Sequence, residues 1–189
     1  MVAQTTRYTA LLKRHEDLFN TSGPVYMISA PGRTEISGNH TDHNRGKVLT
    51  AAVNLDTVAA VSPREDGVVN VHSEGYPAIS ISLDDLAARE DEKNTTAALI
   101  RGVAYKLQEE GYKIGGFDAA VTSTVRGGSG LSSSAAFEVM LCAIFDELYN
   151  QGTLDYKHRA KISQFAENVY FGKPSGLLDQ MASSTSGLA

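Results

Sequence analysis

The fold prediction starts from the stretch GGSGLSSSAA, which occupies Gly127–Ala136. An alternating apolar segment, Phe117–Val125, precedes it and predicts a strand, and Leu131–Tyr149 predicts a long helix. Glycines let a backbone approach phosphate oxygens closely, and the first amides of a helix point outward without intrahelical partners. The stretch therefore predicts a phosphate-binding loop over residues 127–136. A flexible loop with a serine N-cap is the ordinary alternative.

Two common nucleotide-binding motifs do not describe this loop. A Walker A motif needs Gly-Lys-Ser or Gly-Lys-Thr after the glycines, and a dinucleotide fingerprint needs Gly-x-Gly-x-x-Gly. Here Gly130 and Leu131 are followed by three serines, Ser132–Ser134. Their hydroxyls can donate to phosphate oxygens or bind a hard cation such as Mg²⁺.

The remaining chain carries its strand signals mostly before its helix signals, which predicts the α+β class. Apolar runs predict strands over Val25–Ala30, Lys47–Val53 and Thr57–Ser62, and a hairpin of Val68–Ser73 with Ala78–Leu83. Further helices are predicted over residues 8–19, from Thr95 or Thr96 to Glu110, and over Leu154–Phe171.

Composition and charge narrow the function classes. The 189 residues carry a formal net charge of -5, whereas a nucleic-acid-binding protein needs a basic face. No apolar stretch is long enough to cross a bilayer, and the polar start of the chain lacks a signal core. Cys142 is the single cysteine and lies in an apolar run, which indicates a buried structural thiol. We expect a cytoplasmic protein with neither nucleic-acid nor membrane partners.

A second signal is the polar segment Pro31–Gly46, which follows the first predicted strand. Asn39, His40 and Asp42 place hydrogen-bond donors and acceptors close together, as a polyhydroxylated ligand needs. Arg33 could stabilise phosphoryl charge. The histidine spacing matches no zinc pattern, which disfavours a metal site. A long solvated turn is the structural alternative, because Gly, Asn and Asp favour turns.

The third signal is two acidic residues near the end of the chain. Glu167 lies in the last predicted helix, and Asp179 follows a Gly-Leu-Leu turn at which another helix could begin. Taken alone, each acid would be a solvated surface group or a helix cap. These two acids indicate a function only in combination with the other two segments.

Together the three segments resemble the galactokinases of the GHMP small-molecule kinase family. The segment that begins Gly32-Arg33 and ends Gly38-Asn39-His40-Thr41-Asp42 is similar to the galactokinase signature. The stretch from Gly130 to Ala136 resembles the family's phosphate loop, and Gly176-Leu177-Leu178-Asp179-Gln180 resembles the segment with the catalytic aspartate.

The resemblance implies a fold and a domain. Residues 1–189 would form a GHMP-kinase N-terminal domain of the ribosomal protein S5 domain 2-like type, a mixed sheet covered by helices. The galactokinase signature would occupy residues 30–46 and the phosphate loop residues 127–136. The C-terminal GHMP domain would be absent from this chain, which is about half the family's usual length. We therefore expect the chain alone to be inactive and to self-associate through the surface left uncovered.

The resemblance also implies roles for individual residues. Asp179 would accept or orient the proton of a sugar C1 hydroxyl, and Arg33 would neutralise phosphate charge. Ser134 and Glu167 would hold Mg²⁺. The ATP phosphates would be wrapped by Gly128, Ser129, Gly130, Leu131, Ser132, Ser133 and Ser134. The sugar would be bound by Asn39, His40, Thr41, Asp42 and Gly176.

The sequence departs from the family pattern at several positions. The family usually has Asn at the position of Glu35, Glu at that of Asn39 and Tyr at that of His43, and Arg126 replaces a proline. The family glutamate contacts the sugar's C6 hydroxyl, so Asn39 bears directly on specificity. Galactose is the expected substrate, with ATP as phosphoryl donor.

Two alternatives stay open at this point. A kinase for a C6-modified sugar such as galacturonate would profit from losing a carboxylate at position 39. A catalytically silent galactose sensor would lack part of the serine-alanine stretch, yet Ser132–Ala136, Arg33 and Asp179 are intact.

Overall fold

A mixed five-stranded sheet forms the centre of the part that the computed structural model describes, residues 2–185. Its strands are β1 (Tyr26–Ser37), β2 (Leu49–Arg64), β3 (Val68–Ser73), β4 (Ile79–Ser82) and β5 (Gly116–Ser123). The strand order is β1-β2-β5-β3-β4. β3 and β5 run parallel, and the other neighbouring pairs are antiparallel. The predicted α+β class, mixed sheet and β3–β4 hairpin are therefore confirmed.

Helices cover both faces of this sheet. They are α1 (Val2–Phe19), α2 (Thr96–Glu109), α3 (Ser133–Tyr149), α4 (Tyr156–Phe165) and α5 (Leu178–Ser184). A π-helical segment, Ala166–Phe171, continues directly from α4. Within residues 2–185, no helix is both long and apolar enough to cross a membrane.

The period of two along β2 explains why both faces are covered. Val58 and Ala60 pack with Leu11 of α1 on one face. Ala59 and Val61, on the opposite face, join the larger core that α2, α3 and α4 form with the sheet. The side that carries α2, α3 and α4 is also the side from which the predicted site is built.

β1 is longer than predicted and includes the first part of the polar segment Pro31–Gly46. Its pairing with β2 shifts register between Pro31 and Arg33 and again between Glu35 and Ser37. Such bulges let a strand continue past residues that break regular pairing, and Pro31 is tolerated because β1 is an edge strand. Arg33 is consequently held on a strand, and the loop begins only at Gly38, whose φ is 118°.

The other boundary differences are smaller. The two runs predicted as separate strands form the single strand β2. α3 begins at Ser133 rather than at Leu131, and α4 begins at Tyr156 because Asp155 caps its amides. The predicted start of α2 is confirmed, since Thr95 accepts a hydrogen bond from the amide of Ala98.

Candidate active site

The carboxylate of Asp179 lies where the three predicted segments meet. It belongs to the first turn of α5, and Arg33 of β1 donates from Nε to its Oδ1 at 2.5 Å. The Ser132 hydroxyl donates to Oδ2, so both carboxylate oxygens have partners. Arg33 also donates from Nη1 to the carbonyl of Gly130 at 2.6 Å. A strand, the glycine-serine loop and a short helix are thus tied together at one acid.

The glycine-serine loop leaves β5 and enters α3 through three left-handed residues. Gly128 and Gly130 have φ of 75°, and Ser132, the residue before α3, has φ of 56°. Ser132 makes no side-chain cap to α3, because its hydroxyl goes to Asp179 instead. The alternative in which a serine side chain caps α3 is therefore wrong for Ser132.

The outer side of this loop lines an open cavity of about 280 Å³, which we call the phosphate cavity after the ligand predicted for the loop. Its lining comprises Arg33, Arg126, Gly128, Ser129, Gly130, Ser132, Ser133, Ser134, Lys173 and Asp179. Leu131 lies outside this lining, and its carbonyl accepts the Arg33 amide at 3.1 Å. Backbone amides at a helix start, hydroxyls and cationic side chains suit a polyanionic ligand.

Glu167 lies in the π-helical segment and is surrounded by hydrogen-bond donors. The hydroxyls of Ser134 and Ser175 donate to its two oxygens at 2.9 and 2.8 Å. Gln180 donates at 2.7 Å, and the ammonium of Lys173 lies 3.0 Å from Oε1. A carboxylate beside a serine hydroxyl is the oxygen donor set that Mg²⁺ accepts.

These two oxygen donors would leave the other ligands of an ion to phosphate and water, as is usual for Mg²⁺. Among residues 2–185, no three His, Cys, Asp or Glu side chains gather as a metal site. In particular, His40, Asp42 and His43 do not form one.

A second glutamate, Glu138 of α3, is fully buried behind Glu167 and was not singled out by the sequence. Gln180 donates from the same Nε2 to Glu138 at 3.1 Å and to Glu167. Burial, and then the negative charge of Glu167, raises the pKa of Glu138 well above its usual range. Burial lowers the pKa of Lys173, but the hydrogen bond and charge of Glu167 outweigh it and raise that pKa overall.

The loop from Gly38 to Gly46, here called the signature loop, lines a separate cavity of about 260 Å³. We call it the sugar cavity after the ligand predicted for this segment. It is lined by His40, Asp42, His43, Lys173, Ser175, Gly176, Leu178 and Asp179. Asn39 and Thr41 lie outside this lining. Asn39 has φ of 51°, and the Thr41 hydroxyl donates to the Gly38 carbonyl at 2.7 Å, so these two residues shape the loop.

Asp42 links the signature loop to the helix that carries Asp179. Its Oδ2 accepts the amide of Leu178 at 2.9 Å. Gly176 lies against the same carboxylate so closely that a Cβ there would meet it. Position 176 therefore requires glycine for space, and Asp42 acts as an anchor for α5 as well as a lining residue.

Glu35 is a further residue whose surroundings the sequence did not reveal. Its carboxylate accepts the backbone amide of His40 at 3.0 Å, and its other oxygen lies 3.0 Å from His40 Nε2. Both His40 and Asn39 have left-handed backbones, so this clamp holds a strained turn. The only sequence signal for it is the acidic residue standing where the family has Asn.

Behind the glycine-serine loop lies a further cavity of about 320 Å³, here called the apolar cavity. Leu99, Phe137, Phe171 and Val125 contribute its apolar surface, and Tyr76, 69% exposed, stands at its edge. Ser133 and Ser134 line this cavity and the phosphate cavity, so the two adjoin. Sequence reasoning missed this cavity, because its walls come from six separate elements and the loops between them.

Comparison with known proteins shows which family the chain resembles. Residues 13–63 match the galactokinase galactose-binding signature, and residues 98–187 match the GHMP kinases N terminal domain. The galactokinase of Streptomyces coelicolor is 40% identical over 174 residues, which are 91% of this chain and 44% of that protein. The galactokinase of Clostridium tetani is 36% identical over 161 residues, covering 85% of this chain and 41% of that one.

Solved structures agree with the sequence matches. The structure of Lactococcus lactis galactokinase complexed with galactose aligns with a TM-score of 0.87 and 30% identity, over 94% of this chain and 46% of that chain. The Methanococcus jannaschii mevalonate kinase shares the fold with a TM-score of 0.73 at 16% identity, over 89% of this chain and 53% of that one. The chain spans less than half the length of the curated relatives given above. The chain belongs to the GHMP kinase family and matches the N-terminal portion of galactokinases.

Proposed function

We propose that the protein containing this chain transfers the γ-phosphoryl group of ATP to the C1 hydroxyl of galactose. The observation that carries the proposal is the position of Asp179. This carboxylate lines both the phosphate cavity and the sugar cavity, and Arg33 and Ser132 hold it. An acid at the junction of an anion site and a polyol site can serve proton transfer between two bound substrates.

The nucleotide would extend across two adjoining cavities. The apolar cavity suits the base and ribose, and the phosphate cavity suits the triphosphate. Gly128 and Gly130 bring backbone close to the phosphates, and the amides at the start of α3 face them. Mg²⁺, held by Ser134 and Glu167, would neutralise charge on the phosphate oxygens.

The sugar would occupy the cavity between the signature loop and α5. His40 and Asp42 offer it donors and acceptors, and Gly176 leaves room beside Asp42. We place Asn39 and Thr41 at the periphery of this site, with Asn39 toward the sugar's C6. The galactose complex of the Lactococcus lactis protein supports galactose as the substrate.

The chemistry then follows from the chain's own residues. Asp179 orients the C1 hydroxyl and accepts its proton as the oxygen forms a bond to the γ-phosphorus. The bond between that phosphorus and the β–γ bridging oxygen breaks, and ADP leaves with the electron pair. Arg33 stabilises the charge that spreads over the transferred group, so its effect is largest in the transition state.

The two alternatives are less favoured. Glu35 supplies a carboxylate beside His40, so the loop has not lost the negative charge that would repel a C6 carboxylate. A catalytically silent sensor would not need an aspartate, an arginine and a serine held together in one site. Cytoplasmic location is part of the proposal, because the reaction consumes ATP and Cys142 is a free buried thiol.

The test is an assay of ADP release by the full-length protein with Mg²⁺, ATP and a panel of sugars. The panel contains galactose, glucose, galacturonate and 1-deoxygalactose, which lacks the reacting hydroxyl. We expect turnover with galactose and none with 1-deoxygalactose. Turnover with galacturonate in preference to galactose, or galactose binding without turnover, would refute the proposal.

A further inference from the structure

Lys173 stands at the junction of the phosphate cavity and the sugar cavity. Among the described residues, Lys173 and Asp179 are the pair that line both. A group that passes from a ligand in one cavity to a ligand in the other must pass these two side chains. One of them is an acid suited to the sugar hydroxyl, and the other is an ammonium.

The backbone around Lys173 explains how it reaches this place. The π-helical segment ends at Gly172, whose φ of 83° turns the chain back on itself. The amide of Lys173 then donates to the carbonyl of Glu167 at 3.1 Å. The turn sets the lysine side chain over Glu167, and π-helical turns of this kind often occur at functional sites.

The surroundings of the ammonium leave it available to a ligand. Its side chain is 55% exposed, although the Glu167 carboxylate that it contacts is 1% exposed. An ammonium carries three donors, and one of them is used by Glu167 at 3.0 Å. Arg33, in contrast, is buried, and it donates hydrogen bonds from Nε to Asp179 and from Nη1 to the carbonyl of Gly130.

We propose that Lys173 is a further catalytic residue, which binds the γ-phosphoryl group of ATP as it passes to the sugar. This assignment rests on the proposed kinase function. The lysine would leave Glu167 to the magnesium ion and turn its donors to the phosphoryl oxygens, a change that its flexible four-carbon stem permits. Lys173 and Arg33 then approach the transferred group from different elements, the turn after the π-helical segment and β1.

A purely structural role for Lys173 is the competing explanation. The lysine could serve only to balance the buried carboxyl groups of Glu167 and Glu138. The two roles differ in what they predict for nucleotides. If Lys173 binds the γ-phosphoryl group, its loss weakens the binding of ATP but not that of ADP. If Lys173 is only a counter-ion of Glu167, its loss alters the binding of both nucleotides alike.

The experiment measures dissociation constants of ATP and ADP, with Mg²⁺ and without sugar, for the full-length protein and its variants. Lys173→Met removes the charge, and Lys173→Gln removes it while keeping a hydrogen-bond donor in the side chain. Lys173→Arg keeps the charge. Lys93→Met is the matched control, because Lys93 packs beside Gly172, pairs with Glu90 and lines neither cavity.

We expect ATP binding to weaken about 10- to 100-fold in Lys173→Met and Lys173→Gln, as for the loss of a charged hydrogen bond. ADP binding should stay within a few-fold of wild type in these variants. Lys173→Arg and Lys93→Met should keep the wild-type ratio of ATP to ADP affinity. The turnover number with galactose should fall in parallel with the loss of ATP preference.

An unchanged ratio of ATP to ADP affinity in both neutral variants, or an equal loss for both nucleotides, would overturn the assignment. The melting temperature of each variant shows whether it folds, and Lys173→Gln decides the matter if Lys173→Met does not. Wild-type protein without galactose-dependent turnover would instead refute the kinase function. The two failures are therefore distinguishable.

Discussion

Replacing Gly176 by alanine should disturb catalysis through Asp42 and α5. A Cβ at position 176 would lie 1.9 Å from Oδ2 of Asp42, whereas ordinary contact begins at 3.4 Å. Both partners are held, because Asp42 accepts the Leu178 amide at 2.9 Å and Gly176 is two residues before Leu178 in the same chain segment. The clash must therefore move the start of α5, which carries Asp179.

The size of the effect follows from these contacts. Overpacking of this kind costs about 1–3 kcal/mol of unfolding free energy. In a domain of this length each kcal/mol lowers the melting temperature by about 2–4 °C. A shift of about 1 Å at a reacting group can lower the rate by about 10²-fold. We therefore expect a larger loss in kcat/KM than the modest loss in stability suggests.

The assay combines thermal denaturation with steady-state kinetics on the full-length protein. Gly23→Ala is the control, because a Cβ at that position would meet only the Thr21 hydroxyl, at an ordinary distance of 3.7 Å. In Asp42→Ala the clashing carboxylate is absent, so the added stability cost of Gly176→Ala should largely disappear in that background. Fully additive stability losses, or wild-type kcat/KM in Gly176→Ala, would contradict the argument.

Three other predictions concern Asp179, Asn39 and His15. Asp179→Ala should lower kcat by about 10²–10⁴-fold with ATP affinity retained, and near-normal turnover would remove Asp179 from its assigned role. Asn39→Glu should sharpen the preference for galactose over galacturonate in kcat/KM, and equal discrimination in both proteins would exclude Asn39 from specificity. Burial lowers the pKa of His15 below its ordinary value of 6.5, so the folded state binds fewer protons than the unfolded state at acid pH. Unfolding free energy should therefore fall as pH drops below 6.5, and His15→Gln should lose part of that dependence in urea titrations at several pH values.

Local patterns made much of the fold predictable from the sequence. β5, the glycine-serine loop and α3 follow one another along the chain, so a strand pattern, a run of glycines and a helix pattern suffice to place them. The end of β1 could not be predicted in this way. Its continuation past Pro31 depends on bulges in the pairing with β2, which only the partner strand determines.

The residues of the site likewise fall into two groups, those that the sequence motifs predict and those that only the packing reveals. Asp179, Arg33 and Ser134 stand in motifs that the sequence displays, and the structure brings each to a partner from another segment. Glu138 and Lys173 stand in no motif. Their surroundings depend on how α3, the π-helical segment and α5 pack, which is a property of the whole domain.

Glu35 shows how a departure from a family pattern becomes interpretable only with coordinates. In the sequence it appears as an acid that replaces an asparagine, while Asn39 appears as a lost acid. In the structure, Glu35 holds both the amide and the ring of His40, which lines the sugar cavity. The acid therefore stands on the bulged strand β1, four residues before the position at which the resemblance implies a glutamate. A negative charge is present at the signature loop, although a different residue carries it.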